Sequence, residues 1–316
     1  MQGTACPQLD LVSRVYGAVD QIPRGMVSTY GDIASALGDK IAAKAVWEVL
    51  NHYPAPPGSP KHRVVRADGR LGAEGEEGEA MEGLLASEGV EVIDGAVGHM
   101  RSRRFAEFHV DPVLRSLRTE QDAVRERVIE RDDFGDLQHV AGLDVSYAGR
   151  RAFAAVAIYD ARTGDEVDER TTSCDVRFPY IPTYLSYREL PVLRPLVTER
   201  KGTIYLVDGH GTLHPRGAGI ASHLGVALDV PTVGAAKSAL VGEVGKAMNG
   251  RAPVLLDGKV RGYRLGQGRR STFVSVGHRV SLATAVEVCE RFLVKGIPSP
   301  LRRAHDLAGL TRRSSE

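Results

Sequence analysis

The sequence lacks most of what would make it a secreted, membrane or zinc-cage protein. Only three cysteines, Cys6, Cys174 and Cys289, are scattered over 316 residues, so no disulfide framework is available and a reducing compartment is expected. No apolar stretch reaches the roughly eighteen residues of a membrane span, and no charged-then-apolar leader opens the chain. The expectation is a soluble, unexported, cytoplasmic protein, and a monomer. The histidines at 210, 214, 223 and 278 lack zinc spacing, and His223 reads as a hydrogen-bonded core residue. Aromatics make up 6 %, with one tryptophan, and no internal repeat is evident. The formal charge is only +1, which excludes a strongly basic polyanion-coating protein. Length beyond a usual single core predicts two domains, and the aliphatic content suffices for both.

What is present is most concentrated at Ile204-Tyr-Leu-Val-Asp-Gly-His-Gly-Thr-Leu-His-Pro215. Four apolar residues before a glycine-rich turn predict a short buried strand over Ile204–Val207. Asp208 then stands at its C-terminal end, where open α/β sheets hold ligands. It is either a metal ligand or a turn-capping aspartate. Gly209 and Gly211 carry no side chain on either side of His210, which predicts close approach of another molecule's backbone or base.

A second acid lies in Val140-Ala-Gly-Leu-Asp-Val-Ser-Tyr147, whose alternation fits a strand, with Phe153–Tyr159 as its hairpin partner. Asp144 on a central strand would need a cation to stay ionised; on a solvent-facing edge it would not. The third acid follows in Phe178-Pro-Tyr-Ile-Pro-Thr-Tyr-Leu-Ser-Tyr-Arg-Glu-Leu190. Prolines 179 and 182 exclude regular structure up to about Thr183, after which Leu185 and Glu189 share one helical face. Arg188 beside Glu189 is either a phosphate contact or half of a solvated surface pair.

Together the segments Gly-Leu-Asp144, Pro-Tyr-Ile-Pro182, Tyr-Arg-Glu189, Val-Asp208-Gly-His-Gly, His214-Pro-Arg, Gly-Ile-Ala-Ser-His223, Val-Pro-Thr-Val-Gly-Ala-Ala-Lys237 and Gly-His278-Arg-Val-Ser resemble endonuclease V. They are collinear from about Asp111 to Arg303, some two-thirds of the chain. The resemblance implies a ribonuclease-H-like α/β/α fold around a central mixed sheet. It also implies cleavage of the second phosphodiester bond 3′ to deoxyinosine, or inosine in RNA, with magnesium or manganese. Carried over residue by residue, Asp144, Glu189 and Asp208 resemble the acidic metal site and His278 the accompanying histidine. Lys237 and Arg188 resemble the basic residues near the scissile phosphate. Tyr180, Ile181 and Pro182 resemble the wedge beside the lesion. Leu185, Gly209, Gly211, His214, Gly219 and Ile220 resemble the pocket for the extruded base. Thr183 departs from the glycine often found after the wedge proline, which bears on wedge geometry and loop mobility.

Those residue types suit the reaction. Attack of water on a phosphodiester needs an activated hydroxide and a stabilised leaving oxygen, both supplied by carboxylate-held divalent ions. Magnesium takes oxygen ligands and keeps waters. A lysine offsets phosphoryl charge. A weakly pairing base costs less to extrude, and a wedge fills the gap it leaves.

Residues 1–105 read as a separate, smaller domain, with 106–316 as the second. Leu11–Val19 and Thr29–Leu37 are helix candidates, and the Gly38-Asp39 turn leads into Ile41–Leu50, a helix-turn-helix signal. Thr-Tyr30-Gly, Ala-Ala-Lys44-Ala-Val, Pro60-Lys61-His62-Arg63-Val-Val and Leu-Leu-Ala-Ser-Glu88-Gly resemble the DNA-binding half of O6-alkylguanine-DNA alkyltransferases and the alkyltransferase-like proteins. The resemblance implies a winged helix-turn-helix-like fold in which Tyr30, Lys44, Lys61, His62, Arg63 and Glu88 contact the lesion or DNA. The acceptor cysteine of that family is Lys61 here, and the helix arginine is Lys44. An exposed ammonium is a poor substitute for a thiolate, so a lesion-sensing or DNA-anchoring role without catalysis is expected, with a structural remnant as the alternative. Residues 72–80 carry four carboxylates; residues 1–105 hold 11 basic and 14 acidic groups, against 30 and 26 in the remainder. Phosphate binding therefore has the better balance in the second domain.

The leading reading is a metal-dependent repair endonuclease acting on DNA, or on RNA, with an appended alkyltransferase-like domain. Against it stand a nucleic-acid-binding protein with an inert nuclease site and an alkyl acceptor relocated to Lys61. An inert site would have lost an acid or a base, and Asp144, Glu189, Asp208, Lys237 and His278 are all present.

Overall fold

The computed structural model describes residues 9–198, 200–268 and 270–315. Its contacts divide into two compact units, one of Leu9–Arg118 with Arg177–Pro182, the other of Thr119–Val176 and the chain from Thr183 on. The first unit reaches past residue 105 because Leu114 N–H donates to the Leu37 carbonyl at 2.8 Å. Gly38, at φ +105°, makes that approach feasible, since a Cβ there would meet Arg115 N at 2.7 Å.

In the N-terminal unit the first helix spans Leu11–Val19, capped by Asp10, whose side chain accepts from Ser13 N–H. The second, Tyr30–Ala36, starts with a capping box between Thr29 and Asp32. The expected recognition helix opens as a 3-10 turn over Lys40–Ala42 and becomes α-helical over Ala43–His52. Val64–Val65 pairs in parallel with Ser28–Thr29. Beneath the Gly75–Ser87 helix, Val27, Val65, Leu71, Met81, Leu85, Val90 and Val97 form the core.

The C-terminal unit is built on one nine-stranded mixed sheet. Its strands in chain order are β1 His139–Ala148, β2 Arg151–Asp160, β3 Glu166–Asp175, β4 Thr203–Val207, β5 Thr232–Ala236, β6 Glu243–Val244, β7 Arg251–Leu256, β8 Lys259–Gln267 and β9 Arg270–His278. Their spatial order is β6-β7-β8-β9-β5-β4-β1-β2-β3. The expected hairpin is there, with Asp144 opposite Ala155, and β4 and β5 run parallel to β1 at the centre. Ala141, Leu143 and Val207 pack with Val192, Leu193, Ile220 and Leu224, which belong to helices Leu185–Leu193 and Ile220–Leu228. Val140, Ile204 and Val274 pack with Val286, Cys289 and Leu301, from helices Leu282–Arg291 and Ser299–Arg313. The result is the expected α/β/α architecture. Among the described residues no helix is long and apolar enough to cross a membrane.

Candidate active site at the carboxylate edge of the sheet

The parallel register of β1 and β4 sets Leu143 beside Val207, so the next residues, Asp144 and Asp208, emerge side by side. Asp208 N–H donates to the Leu143 carbonyl at 3.1 Å, locking the two strand ends together. β5 ends one strand further on, and Lys237 follows it. Its Nζ lies 2.8 Å from Asp208 Oδ2. Glu189 comes from the Leu185–Leu193 helix on one face of the sheet. On the other, the Ser299–Arg313 helix delivers His305, whose Nδ1 is 2.7 Å from Asp144 Oδ2. Gly142 is why that helix can lie so close: a Cβ there would meet the Pro300 carbonyl at 2.2 Å.

The electrostatics of this edge are unfavourable to its own acids. Asp144 and Glu189 are both buried. Burial, then the neighbouring Asp208 charge, pushes the Asp144 carboxyl up to about 6. Burial pushes Glu189 up to about 8, against a hydrogen bond from Tyr147 and in concert with the Asp144 and Asp208 charges. Lys237 is raised despite desolvation because Asp208, Asp144 and Glu189 all favour its charged form. Tyr147 OH donates to Glu189 Oε1 at 2.9 Å, and the Arg188 guanidinium stacks 4.3 Å from the centre of the same ring. Thus Asp144, Glu189, Asp208, Lys237 and Arg188 are assembled from two strand ends, a loop and a helix.

His278 is not part of this assembly. β9 runs antiparallel to β5, so Phe273 lies opposite Ala236 at the carboxylate edge while His278 lies opposite Thr232 at the far end. There its Nδ1 accepts from Ile129 N–H at 3.2 Å and its Nε2 lies 3.3 Å from Asp229 Oδ1. Burial lowers its pKa, opposed by Asp229. The histidine beside the carboxylates is His305, 161 residues from its partner Asp144 in sequence. No short motif could have linked them. Tyr147 had a weak signal, since it lies on the same strand as Asp144, but its reach to Glu189 depends on where the helix packs.

The glycines have a different role from the one their spacing suggested. A Cβ on Gly211 would meet the Val276 carbonyl at 1.9 Å, and one on Gly219 the His210 carbonyl at 2.2 Å. A Cβ on Gly209 would meet Ile220 at 2.4 Å. The space left by these missing side chains is taken by the protein's own loop. Gly209, Gly211, His214, Gly219 and Ile220 are buried and Leu185 is half-buried. His214 is a neutral imidazole lowered to about 4 by burial, with Nδ1 accepting from Arg216 N–H and Nε2 lying 3.1 Å from the Thr183 carbonyl. Thr183 adopts φ +70°, a left-handed conformation unusual for a β-branched residue. Its carbonyl also accepts from Gln121 at 2.8 Å, and its hydroxyl from Arg216 at 2.9 Å. This clamp holds the conformation that a glycine would adopt without strain. Of the three wedge residues, Tyr180 is exposed, Ile181 buried and Pro182 half-buried.

The N-terminal unit brings Tyr30, Lys61 and His62 onto one cavity of about 340 Å³. Glu88 and Arg63 lie behind it. The Glu88 carboxylate accepts from Arg63 Nε and Nη2, from Gly25 N–H, and lies 3.0 Å from His62 Nε2. The Arg63 hydrogen bonds hold it down to about 2. Lys44 is exposed on the Ala43–His52 helix and does not line the cavity.

Comparison with known proteins agrees with this division. The endonuclease V family matches residues 122–306, and the DNA-binding domain of 6-O-methylguanine DNA methyltransferase matches residues 10–90. A bifunctional methyltransferase/endonuclease of Thermoplasma volcanium is 36 % identical over 303 residues, covering 95 % of this chain and 90 % of its own. An endonuclease V of Thermofilum pendens is 43 % identical over 201 residues, 61 % of this chain and 86 % of its own. The crystal structure of endonuclease V from Streptomyces avermitilis superposes with a TM-score of 0.56 at 35 % identity, covering 63 % of this chain and 93 % of that one.

Proposed function

Because the chain belongs to the endonuclease V family and joins to it an alkyltransferase-like DNA-binding domain, we propose that it is a magnesium- or manganese-dependent enzyme cutting the second phosphodiester bond 3′ to deoxyinosine. That it is a DNA-repair nuclease, a hydrolase, follows from the family. The observation that carries the finer reading is the convergence of Asp144, Glu189 and Asp208 on one sheet edge at the expense of their own ionisation. Such crowding of buried carboxylates is relieved by a cation.

The donor set fits a hard divalent ion, being all carboxylate oxygen. Each acid is engaged by its own partner, Asp144 by His305, Glu189 by Tyr147 and Asp208 by Lys237. Among the described residues no three acid, histidine or cysteine side chains are grouped closely enough to hold an ion as they stand. Binding one therefore requires these side chains to rotate away from those partners. Once held, the ion supplies the charge that activates water and stabilises the leaving oxygen. The chain's residues do the rest. Lys237 brings a positive charge to the strand ends, Arg188 is oriented by the Tyr147 ring, and Tyr147 holds the Glu189 carboxyl by its own O–H.

For the N-terminal unit the reading is DNA anchoring or lesion sensing without group transfer. Lys61 stands where an acceptor thiol would be needed, and neither Cys174 nor Cys289 lines the cavity; Cys6 lies outside the described residues. The test is nicking of matched duplexes containing inosine or adenosine, as DNA and as RNA, with and without magnesium. Nicking one bond beyond the inosine's 3′ neighbour and only with the metal is the expected result. Equal cleavage of the adenosine duplex would remove the base specificity, and metal-independent nicking the cofactor.

A further inference from the structure

The cavity of the N-terminal unit, about 340 Å³, is large enough for one purine with a short substituent. Leu50, Val64, Met81 and Leu84 give it apolar walls, suited to the faces of a base. Its polar wall is less ordinary. His62 is committed to Glu88, which is itself saturated by Arg63 and Gly25 N–H. Tyr30 has its hydroxyl laid over Gly72, where a Cβ would meet it at 1.9 Å. Two lining groups have no such commitment among the described residues: Lys61, at the head of the Lys61–Arg63 turn, and Glu77, in the first turn of the Gly75–Ser87 helix. An ammonium only donates hydrogen bonds and a carboxylate only accepts them. A ligand satisfying both presents an acceptor on one edge, best an anionic one, and an N–H donor on another. A bare alkyl group against Lys61 would desolvate the ammonium and return nothing. A purine with a carbonyl and no exocyclic amine leaves Glu77 unmatched, and one with an amine and no acceptor leaves Lys61 unmatched.

We propose that this cavity takes an extruded guanine carrying an anionic substituent, a carboxyalkyl adduct, with Lys61 ion-paired to the substituent and Glu77 accepting from the ring amino group. The inference rests on the DNA-anchoring reading of this unit and specifies what it anchors to. No bond is made or broken. Replacement of a nucleophile by a cation turns a site for chemistry into one for charge-selective binding.

The test measures affinity of the full chain, by fluorescence anisotropy, for three duplexes that lack inosine and differ at one position: guanine, O6-methylguanine and O6-carboxymethylguanine. The carboxymethyl duplex is expected to bind about tenfold or more tighter than the methyl duplex. Lys61→Met should bring the two within about twofold, and Lys61→Arg should keep the preference. Lys61 is exposed, and an unchanged thermal unfolding midpoint checks that Lys61→Met is folded. Equal binding of the two adducts, or a preference that survives in Lys61→Met, overturns the inference while leaving lesion sensing in place. If neither adduct binds better than plain guanine, lesion sensing fails as well.

Discussion

The carboxylate edge and the Lys61 cavity treat their acids in opposite ways. At the edge, Asp144 and Glu189 are crowded and buried, and both are pushed upward, to about 6 and about 8. Beside the cavity, Glu88 is surrounded by Arg63, His62 and a backbone N–H and is held down to about 2. A constellation that must receive a cation keeps its negative charge unsatisfied. One whose nucleophile has been replaced can relax into a closed hydrogen-bonded network. Perturbation, more than the presence of matching residue types, marks which of the two sites is equipped for catalysis.

The largest expected effect is that of removing an edge acid. Asp208→Ala should lower nicking of inosine DNA by more than about a hundredfold, the equivalent of several kcal/mol of charge stabilisation. Binding of the same duplex should stay measurable; retained nicking would take Asp208 out of the site. Next come the groups that hold the acids. His305→Ala and Tyr147→Phe should each cost about 10- to 100-fold in rate at limiting magnesium, with much of the loss recovered at saturating magnesium. The phenylalanine keeps the ring under Arg188 and loses only the hydrogen bond to Glu189. A loss independent of metal concentration would assign these two residues to some other role.

A moderate effect is expected from pH. Both carboxyls are raised, so their protonated forms persist until the pH climbs through about 6 for Asp144 and about 8 for Glu189. At low magnesium the acid limb of the rate profile should fall between those values. Proton and cation compete for the same oxygens, so each tenfold increase in magnesium should move the limb about one unit toward lower pH. A limb that stays put under magnesium titration would separate the ionisation from metal binding. The smallest effect belongs to the other site. Lys61→Met should leave inosine nicking within about twofold of the unaltered chain, because the two sites share no residue. A large loss would mean that the cavity takes part in the nuclease reaction.

Much of this was legible in the sequence for a physical reason. Strands announce themselves locally: Ile204–Val207 and Val140–Tyr147 were readable because burial imposes period-two or unbroken apolar patterns. The acids at their ends followed from the strand–turn boundary, and the capping box at Thr29 and Asp32 marked a helix start in the same local way. His305 was not legible. Its pairing with Asp144 depends on a helix seated over Gly142, and nothing in either segment alone encodes that distance. His278 failed for the converse reason. Its motif matched the family, but the antiparallel register of β9 carries it to the opposite end of the sheet. The glycines of the 209–219 loop misled because sequence shows where a side chain is missing and not what fills the space.

By itself the sequence determined both family memberships, the alternation of strands and helices, the three acids and the loss of the acceptor cysteine at Lys61. All of these are properties of residue order and local pattern. Only the tertiary structure decided which histidine stands beside the acids, that Tyr147 holds Glu189 and orients Arg188, and that the loop glycines serve the chain's own packing. It also decided the contrast between two raised carboxyls and one lowered one. Ionisation depends on burial and on charges brought close from distant segments, and proximity of that kind arises only when the chain folds.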